Sequence, residues 1–490
     1  MSDTDHEIDG VDQALALVSR EQPREQLRDQ ARDQPRGQSR DPRGQSRDHP
    51  REQPAVPAPA AASPASADHG PGASAASATP AAPAHPAAAL WPEARAAAAR
   101  AGRTAPARPR RVPLDRALGQ VLAEPLEALT DLPSFDTSAM DGWAVAGPGP
   151  WSFHEGAGLL AGRAVPDPLT DGEAVRIATG ARIPAEATAV IRSEHARADE
   201  DKLRLYAQRE VIPGQDIRPR GQECRTGDHL LPAGSVVTPA VLGLAAAAGY
   251  DALLTVPRPT VEVLILGDEL LTEGLPHDGM VRDALGPLLA PWLRALGAEV
   301  LDTRCLGDDP QALRKAVLGS EADVVVTTGG TAAGPVDHVR PFLAKAAETG
   351  AEILVDGVEV RPGHPMLLAR LAPDTHLVGL PGNPLAAVSG LLTLAEPLLR
   401  ALSHRPVPEP YRAPVRDEIP GHPVSTRLVP VTHRTGPTGA DHAVPLHYNG
   451  PAMLRGIAAA DGLAVVPPGG ARAGDELEIL DLPWAEGCFT

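Results

Sequence analysis

The sequence predicts a multidomain protein of α/β plus β class, with a doubly wound parallel sheet in its second half. Three observations carry that reading. Residues 260 to 403 alternate β-branched runs (VEVLIL, DVVVTT, HLVGL) with helical patterns, as strands buried on both faces do. Residues 151 to 210, and those beyond Pro406, hold shorter apolar runs broken by Gly and Pro, the pattern of small β units. At 490 residues the chain is long enough for three or four folded units.

Taken in order, residues 1 to 88 read as a disordered tail. Units such as REQP and RGQSR mix opposite charges with Gln and Pro, and from Pro54 the chain turns Ala/Pro-rich, so little apolar surface is available to bury. The tail is either a partner-docking segment or a tolerated low-complexity extension. Order is expected to begin near Trp91. Leu114, Leu118, Val121 and Leu122 recur at helical spacing and predict an amphipathic helix, so 89–150 and 211–258 are read as one N-terminal and helical linker region. Within it, 151–210 (AVRIATGARIP, ATAVIRSEHA) forms an inserted β-rich domain. The α/β domain spans 259–405, with helices expected over 281 to 296, from about 310, and from Pro384 to Leu402. Residues 406–490, with RLVPV, GLAVV and ELEIL, form a C-terminal β-barrel-like domain.

Composition excludes several classes. A formal net charge of -18 opposes a general nucleic-acid binder, which needs a basic surface to neutralise phosphates. Three widely separated cysteines, Cys224, Cys305 and Cys488, suggest neither a disulfide framework nor a metal-binding Cys pair. The acidic N-terminus lacks the charged and apolar regions of a signal peptide, and no apolar run reaches about 18 residues, so neither export nor a membrane span is expected. A cytoplasmic location fits these readings.

Three segments should meet at one edge of the α/β sheet, where backbone N–H groups at helix N-termini favour anions. TTGGTAAGPVDHV carries Gly329, Gly330, Thr331 and Gly334 from strand to helix. LPGNPLAAV does the same through Pro381, Gly382, Asn383 and Pro384, with Asn383 suited to the cap and Pro384 to the first helical turn. LILGDELL presents Asp268 and Glu269, able to hold a divalent cation or to form only a solvated loop. Each glycine-rich turn alone could be a simple chain reversal. A fourth stretch, PSFDTSAMDGWAV, brings Asp136, Ser138 and Asp141 together with small residues, as a ligand-holding loop or as Asx turns at a domain junction.

In this order, those segments, with AVRIATGARIPAEATAVI, DDPQALRKAV, RPGHP and GLAVVPPGGARAGDELEIL, resemble the molybdopterin molybdenumtransferases, the MoeA family that includes the E domain of gephyrin. The resemblance covers roughly residues 90 to 485. It implies four domains, a homodimer with sites between subunits, and insertion of molybdate into adenylated molybdopterin with release of AMP, using magnesium or zinc. By motif position it implies catalytic roles for Asp136, Asp141, Glu269 and Asp337, with Glu269 and Asp337 on the metal. Substrate binding would fall to Ser138, Thr179, Arg361, Pro362, His364 and the residues of the two strand-to-helix turns.

The chain departs from the family pattern around that pocket. A lysine-proline-glycine-lysine-proline run is replaced by Arg361-Pro362-Gly363-His364-Pro365; Arg361 keeps a charge, whereas His364 carries one only when protonated. A serine and an acidic residue of the glycine-rich turn become Ala332 and Pro335, a threonine becomes Leu266, and a serine-asparagine pair becomes Ala284-Leu285. Such clustered losses allow two readings: a molybdotransferase, slow or specialised, or a molybdopterin-binding paralogue without catalysis.

Overall fold

The computed structural model describes residues 88–484, apart from 107, 155, 157, 164, 332–336 and 437–440. The tail assigned to 1–88 therefore falls almost wholly outside the described residues, as does Gly334.

The α/β domain is built on a six-stranded sheet. Its order runs Glu299–Leu306, Thr260–Leu266, Val324–Thr328, Thr375–Leu380, Leu367–Ala372, Glu352–Asp356. The first four strands are parallel, and Val324–Thr328 is buried along its whole length, as its unbroken β-branched run requires. The expected all-parallel sheet is corrected at one edge, where Glu352–Asp356, Leu367–Ala372 and Thr375–Leu380 form an antiparallel meander. Only Pro373 and Asp374 separate the last two strands, which permits a hairpin and no crossover helix.

Helix starts follow short polar caps. Asp283 accepts hydrogen bonds from the Leu285 and Gly286 amides (2.8 and 3.0 Å), so the helix covers Leu285–Ala295. Val281–Arg282, expected to be helical, instead pairs as a strand with Leu270–Leu271. Asp309 caps Pro310–Leu318 through the Gln311 amide at 2.8 Å. The helix Pro384–Leu402 passes through a π-helical stretch at Leu391–Ala395. By length and composition it could cross a membrane, which the sequence reading did not anticipate, yet 72% of it is buried inside the protein, in the central core.

The N-terminal helix Trp91–Thr104 locks onto that element: Trp91 Nε1 donates to Thr393 Oγ1 at 3.1 Å, and Gly102 lets the helices approach so closely that a Cβ would lie 2.6 Å from the Leu398 carbonyl. The long helix expected through Leu122 is corrected. It stops at Ala117, Gly119 adopts φ +76°, and Val121–Leu122 pairs as a strand with Thr255 and Val256.

The β-rich domain is a six-stranded sheet that takes in Gly142–Val145 as well as strands between Trp151 and Ala207, so it begins ahead of Trp151. The C-terminal sheet runs Ala89–Leu90, Val358–Arg361, Thr426–Thr435, Gly462–Val466, Glu476–Asp481, Arg412–Pro414, and closes like a barrel through Asp441–Pro445 and a Val415–Ala443 bridge. Val358–Arg361 thus leaves the α/β sheet and pairs in parallel with the C-terminal domain.

Candidate functional site

At the carboxyl edge of the α/β sheet, the loops that follow its strands enclose a cavity of about 590 Å³. Leu266, Gly267 and Glu269 wall it on one side, Gly329 and Gly330 on another, and Gly382, Asn383 and Pro384 on a third. The two glycine-bearing turns touch. Gly329 N–H donates to the Leu380 carbonyl at 2.9 Å, and a Cβ on Gly382 would sit 3.7 Å from Gly329 Cα. Gly329 and Gly330 both have positive φ (+78° and +63°), a conformation that disfavours other residues. Pro381 and Thr331 are buried beside this edge without lining it; the Thr331 methyl packs over Gly379.

Asp337 stands just behind Gly330. Its Oδ1 accepts from the Val339 and Arg340 amides (3.1 and 3.4 Å), capping the helix Val339–Ala347. Its Oδ2 is buried and has no partner among the described residues. Burial raises the Asp337 carboxyl above the usual range, against the pull of those two amides. The Glu269 carboxylate folds over Gly267, where a Cβ would lie 2.6 Å from Oε2. Among the described residues no three His, Cys, Asp or Glu side chains cluster closely enough to hold a metal. Asp337 does not itself line the cavity, whereas Glu269 does; together they offer one buried, unpartnered carboxylate oxygen and one cavity-facing carboxylate to any cation whose shell a bound ligand would complete.

The second predicted group lies in the β-rich part of the chain. Asp141 Oδ1 accepts from the Thr179 amide (2.6 Å) and hydroxyl (3.0 Å), bonds that hold its carboxyl below the usual range. Asp136 Oδ1 accepts from the Arg220 amide at 2.7 Å, and the buried Ser138 hydroxyl donates to the Met140 carbonyl at 2.6 Å. Asp141 thus bonds Thr179 directly, backbone bonds between Ser138 and both Gly180 and Ala181 and from Ile183 to Asp136 hold the rest of the loop beside the Thr179 segment, and none of the four residues lines the α/β cavity of the same chain.

Arg361, Pro362 and His364 do not line that cavity either. The turn leaves the strand Val358–Arg361, and His364 Nδ1 lies 2.8 Å from the Val358 carbonyl, so the imidazole is tied to its own turn. Gly363, at φ +118°, presses the turn against the helix that follows LPGNP: a Cβ would meet Ser389 Cβ at 3.1 Å and the Ala386 carbonyl at 3.2 Å.

Several contributors were not foreseen. Arg282, Asp283, Asp308, Asp309 and His338 line the cavity, and Arg427 sits in register beside Arg361 on the neighbouring strand. The run GDDP, an acidic pair directly after a strand, is the signal that would have found Asp308 and Asp309; Arg427 depends on a pairing between distant segments that no local pattern reveals. Most consequential is Pro451, whose carbonyl accepts from the Leu385 and Ala386 amides (2.9 and 3.2 Å) and so takes up donors expected to face an anion.

Family profiles match along the chain: the MoeA N-terminal region (domain I and II) over residues 91–249, a probable molybdopterin binding domain over 262–401, and the MoeA C-terminal region (domain IV) over 412–482. Fold and site thus define a multidomain molybdenum-cofactor biosynthesis protein of the MoeA type. Among curated proteins, molybdopterin molybdenumtransferase 2 of Mycobacterium tuberculosis is 35% identical over 398 residues, 76% of this chain and 95% of its own. A molybdopterin molybdenumtransferase of Staphylococcus aureus is 30% identical over 390 residues, covering 75% and 90%. The crystal structure of a molybdopterin biosynthesis MoeA protein from Pyrococcus horikoshii shares the fold, with a TM-score of 0.64 at 24% identity over 81% of this chain and 99% of that one. The chain belongs to the molybdopterin molybdenumtransferase family, a family of transferases.

Proposed function

We propose that this protein inserts molybdate into adenylated molybdopterin, releasing AMP and forming the molybdenum cofactor. The observation that carries the reading is the cavity at the carboxyl edge of the sheet, large enough for a pterin with its phosphates and walled by two glycine-bearing turns. In the reaction a molybdate oxygen takes up the adenylyl phosphorus, the phosphoanhydride bond breaks, and the dithiolene sulfurs replace oxygens on molybdenum as AMP and water depart. The backbone of Gly329 and Gly330 would lie against the phosphates, where no side chain stands in the way. Asp337 and Glu269 would hold the cation, magnesium or zinc, which supplies charge neutralisation at the phosphoanhydride. The cavity needs such help: four carboxylates, Glu269, Asp283, Asp308 and Asp309, line it against Arg282 and His338.

The Asp136, Ser138, Asp141 and Thr179 cluster would act on the cavity of a second copy, which is why we infer a homodimer with sites between subunits. Sedimentation as a monomer at micromolar concentration would remove that basis. We further propose a cytoplasmic location.

Two observations favour the alternative of a molybdopterin-binding protein without catalysis: His364 is tied to the Val358 carbonyl, and Pro451 covers two helix N-terminal amides, which leaves fewer donors for an oxyanion. The test is an assay of the purified protein with adenylated molybdopterin, magnesium and a molybdate titration, following AMP release and reconstitution of a molybdenum apoenzyme. Both products establish the transferase. Tight pterin binding with neither product, persisting in His364→Lys combined with Ala332→Ser, establishes the alternative.

A further inference from the structure

Three of the loops around the cavity are joined through the backbone of a single residue, Asp308. Glu299–Leu306 is the edge strand, next to Thr260–Leu266 and one removed from Val324–Thr328, and the loop after it brings Asp308 to the loops that follow both. The Asp308 N–H donates to Asp268 Oδ1 at 3.2 Å, and the Asp308 carbonyl lies 3.1 Å from His338 Nε2. A carbonyl can only accept, so Nε2 carries the proton and donates. Asp268 immediately precedes Glu269, and His338 immediately follows Asp337.

Resting on the function proposed above, we propose that Asp268 and His338 are positioning residues, which clamp the backbone of Asp308 and thereby fix the spacing between the Glu269 and Asp337 carboxylates. A second feature points the same way. Gly307 leaves room for the clamp, since a Cβ there would lie 2.4 Å from Asp268 Oδ1. Asp268 is exposed, so its carboxylate would ordinarily remain solvated and free to rotate; the glycine lets it lie against the neighbouring loop. Glu269 and Asp337 come from strands adjacent in the sheet, Thr260–Leu266 and Val324–Thr328, but each sits on a loop, and no hydrogen bond between those two loops is found among the described residues. The link between them passes through the third loop.

Two features separate this arrangement from general loop stability. The clamp uses one backbone N–H and one backbone carbonyl, so a side chain with the right donor or acceptor can replace either partner. Both contacts lie in part-buried or exposed loops outside the core, so their loss should leave global stability nearly unchanged.

The test uses the full chain and Mn²⁺ alone as the probe, read by electron paramagnetic resonance, together with amide hydrogen exchange over residues 307–309. His338→Phe and Asp268→Ala remove the donor and the acceptor; His338→Gln and Asp268→Asn retain them. Expected is a loss of about tenfold in Mn²⁺ affinity for the first pair, as for residues that orient metal ligands. Faster exchange at 307–309, an unchanged melting temperature, and recovery of both readouts in the second pair are also expected. In turnover the loss should appear in kcat, with KM for the pterin little moved. His338→Gln behaving like His338→Phe, or exchange at 307–309 unmoved in His338→Phe and Asp268→Ala, overturns the clamp. If the unaltered protein binds no Mn²⁺ while exchange still rises in those two variants, the clamp stands and the cation-dependent function fails.

Discussion

Two strand-to-helix turns flank the same cavity, and they satisfy their helix N-termini by different means. After Val324–Thr328, the helix Val339–Ala347 is capped from within by Asp337, whose second oxygen stays uncommitted. After Thr375–Leu380, the helix that begins at Pro384 is capped from the C-terminal domain by the Pro451 carbonyl, while Asn383 makes no side-chain cap bond. The first turn therefore keeps one carboxyl oxygen uncommitted, the oxygen that the proposed reaction would use. The second has joined the scaffold, and it ties the C-terminal domain to the edge of the α/β sheet. Motifs of similar composition thus divide into a reactive wall and a structural wall.

The largest effect should come from breaking the reactive wall. Asp337→Ala removes both the cap and the spare oxygen, and we expect molybdate insertion to fall by about a hundredfold, about 2.7 kcal/mol of transition-state stabilisation. Asp337→Asn separates the two roles. Asparagine caps nearly as well as aspartate, so thermal stability should hold within about 0.5 kcal/mol while activity stays low. Recovery of activity in the Asn variant would mean that the cap alone matters and that Asp337 holds no cation.

The structural wall should break through packing instead. Gly363→Ala forces a Cβ into a backbone at φ +118°, against Met366 Cε at 2.8 Å and Ser389 Cβ at 3.1 Å. We expect about 2 kcal/mol of destabilisation in urea unfolding, with a smaller loss of activity as the Arg361 to Pro365 turn is pushed off the helix.

Acid should weaken the same wall. His376 is fully buried in the strand that leads to Pro381, and neither ring nitrogen has a partner among the described residues. Burial lowers its pKa from 6.5 to about 4. The unfolded chain then takes up a proton that the folded one refuses, so the neutral ring's contribution is complete above about pH 6.5 and declines as pH falls toward 4. Roughly 2 kcal/mol of stability should be lost between pH 7 and pH 5, and His376→Leu should remove that part of the slope. An identical pH dependence in the variant would assign the acid sensitivity elsewhere.

The sequence was most informative where structure is local. The buried strands Val324–Thr328 and Thr375–Leu380 and the helix from Pro384 follow from unbroken apolar runs and from the punctuation of LPGNP. It misled where distant pairing decides. Val121 and Leu122 keep helical spacing, yet they pair with Thr255 and Val256 once Gly119 has turned the chain. Arg361 follows the α/β pattern in sequence but lies on a strand of the C-terminal sheet, next to Arg427. The site divides in the same way. Motif position brought Glu269, Gly329, Gly330, Gly382 and Asn383 to one cavity, but whether a helix N-terminus is free depends on Pro451, and that contact is written in no local pattern.

The smallest effect sharpens the comparison most. Asn383 stands at the N-cap position before Pro384, where a side-chain cap ordinarily contributes about 1 kcal/mol. Its side chain makes no such bond here, and the amides it would serve already donate to Pro451 at 2.9 and 3.2 Å. Asn383→Ala should therefore change unfolding free energy by less than about 0.5 kcal/mol, the range of substitutions that break no structural interaction. Its effect should fall on the cavity that Asn383 lines, as a weaker KM for the pterin with stability intact. A loss of a full cap's worth of stability would show that the Pro451 contact is not the cap in solution, and the second turn would then rejoin the first as an open, anion-facing helix end.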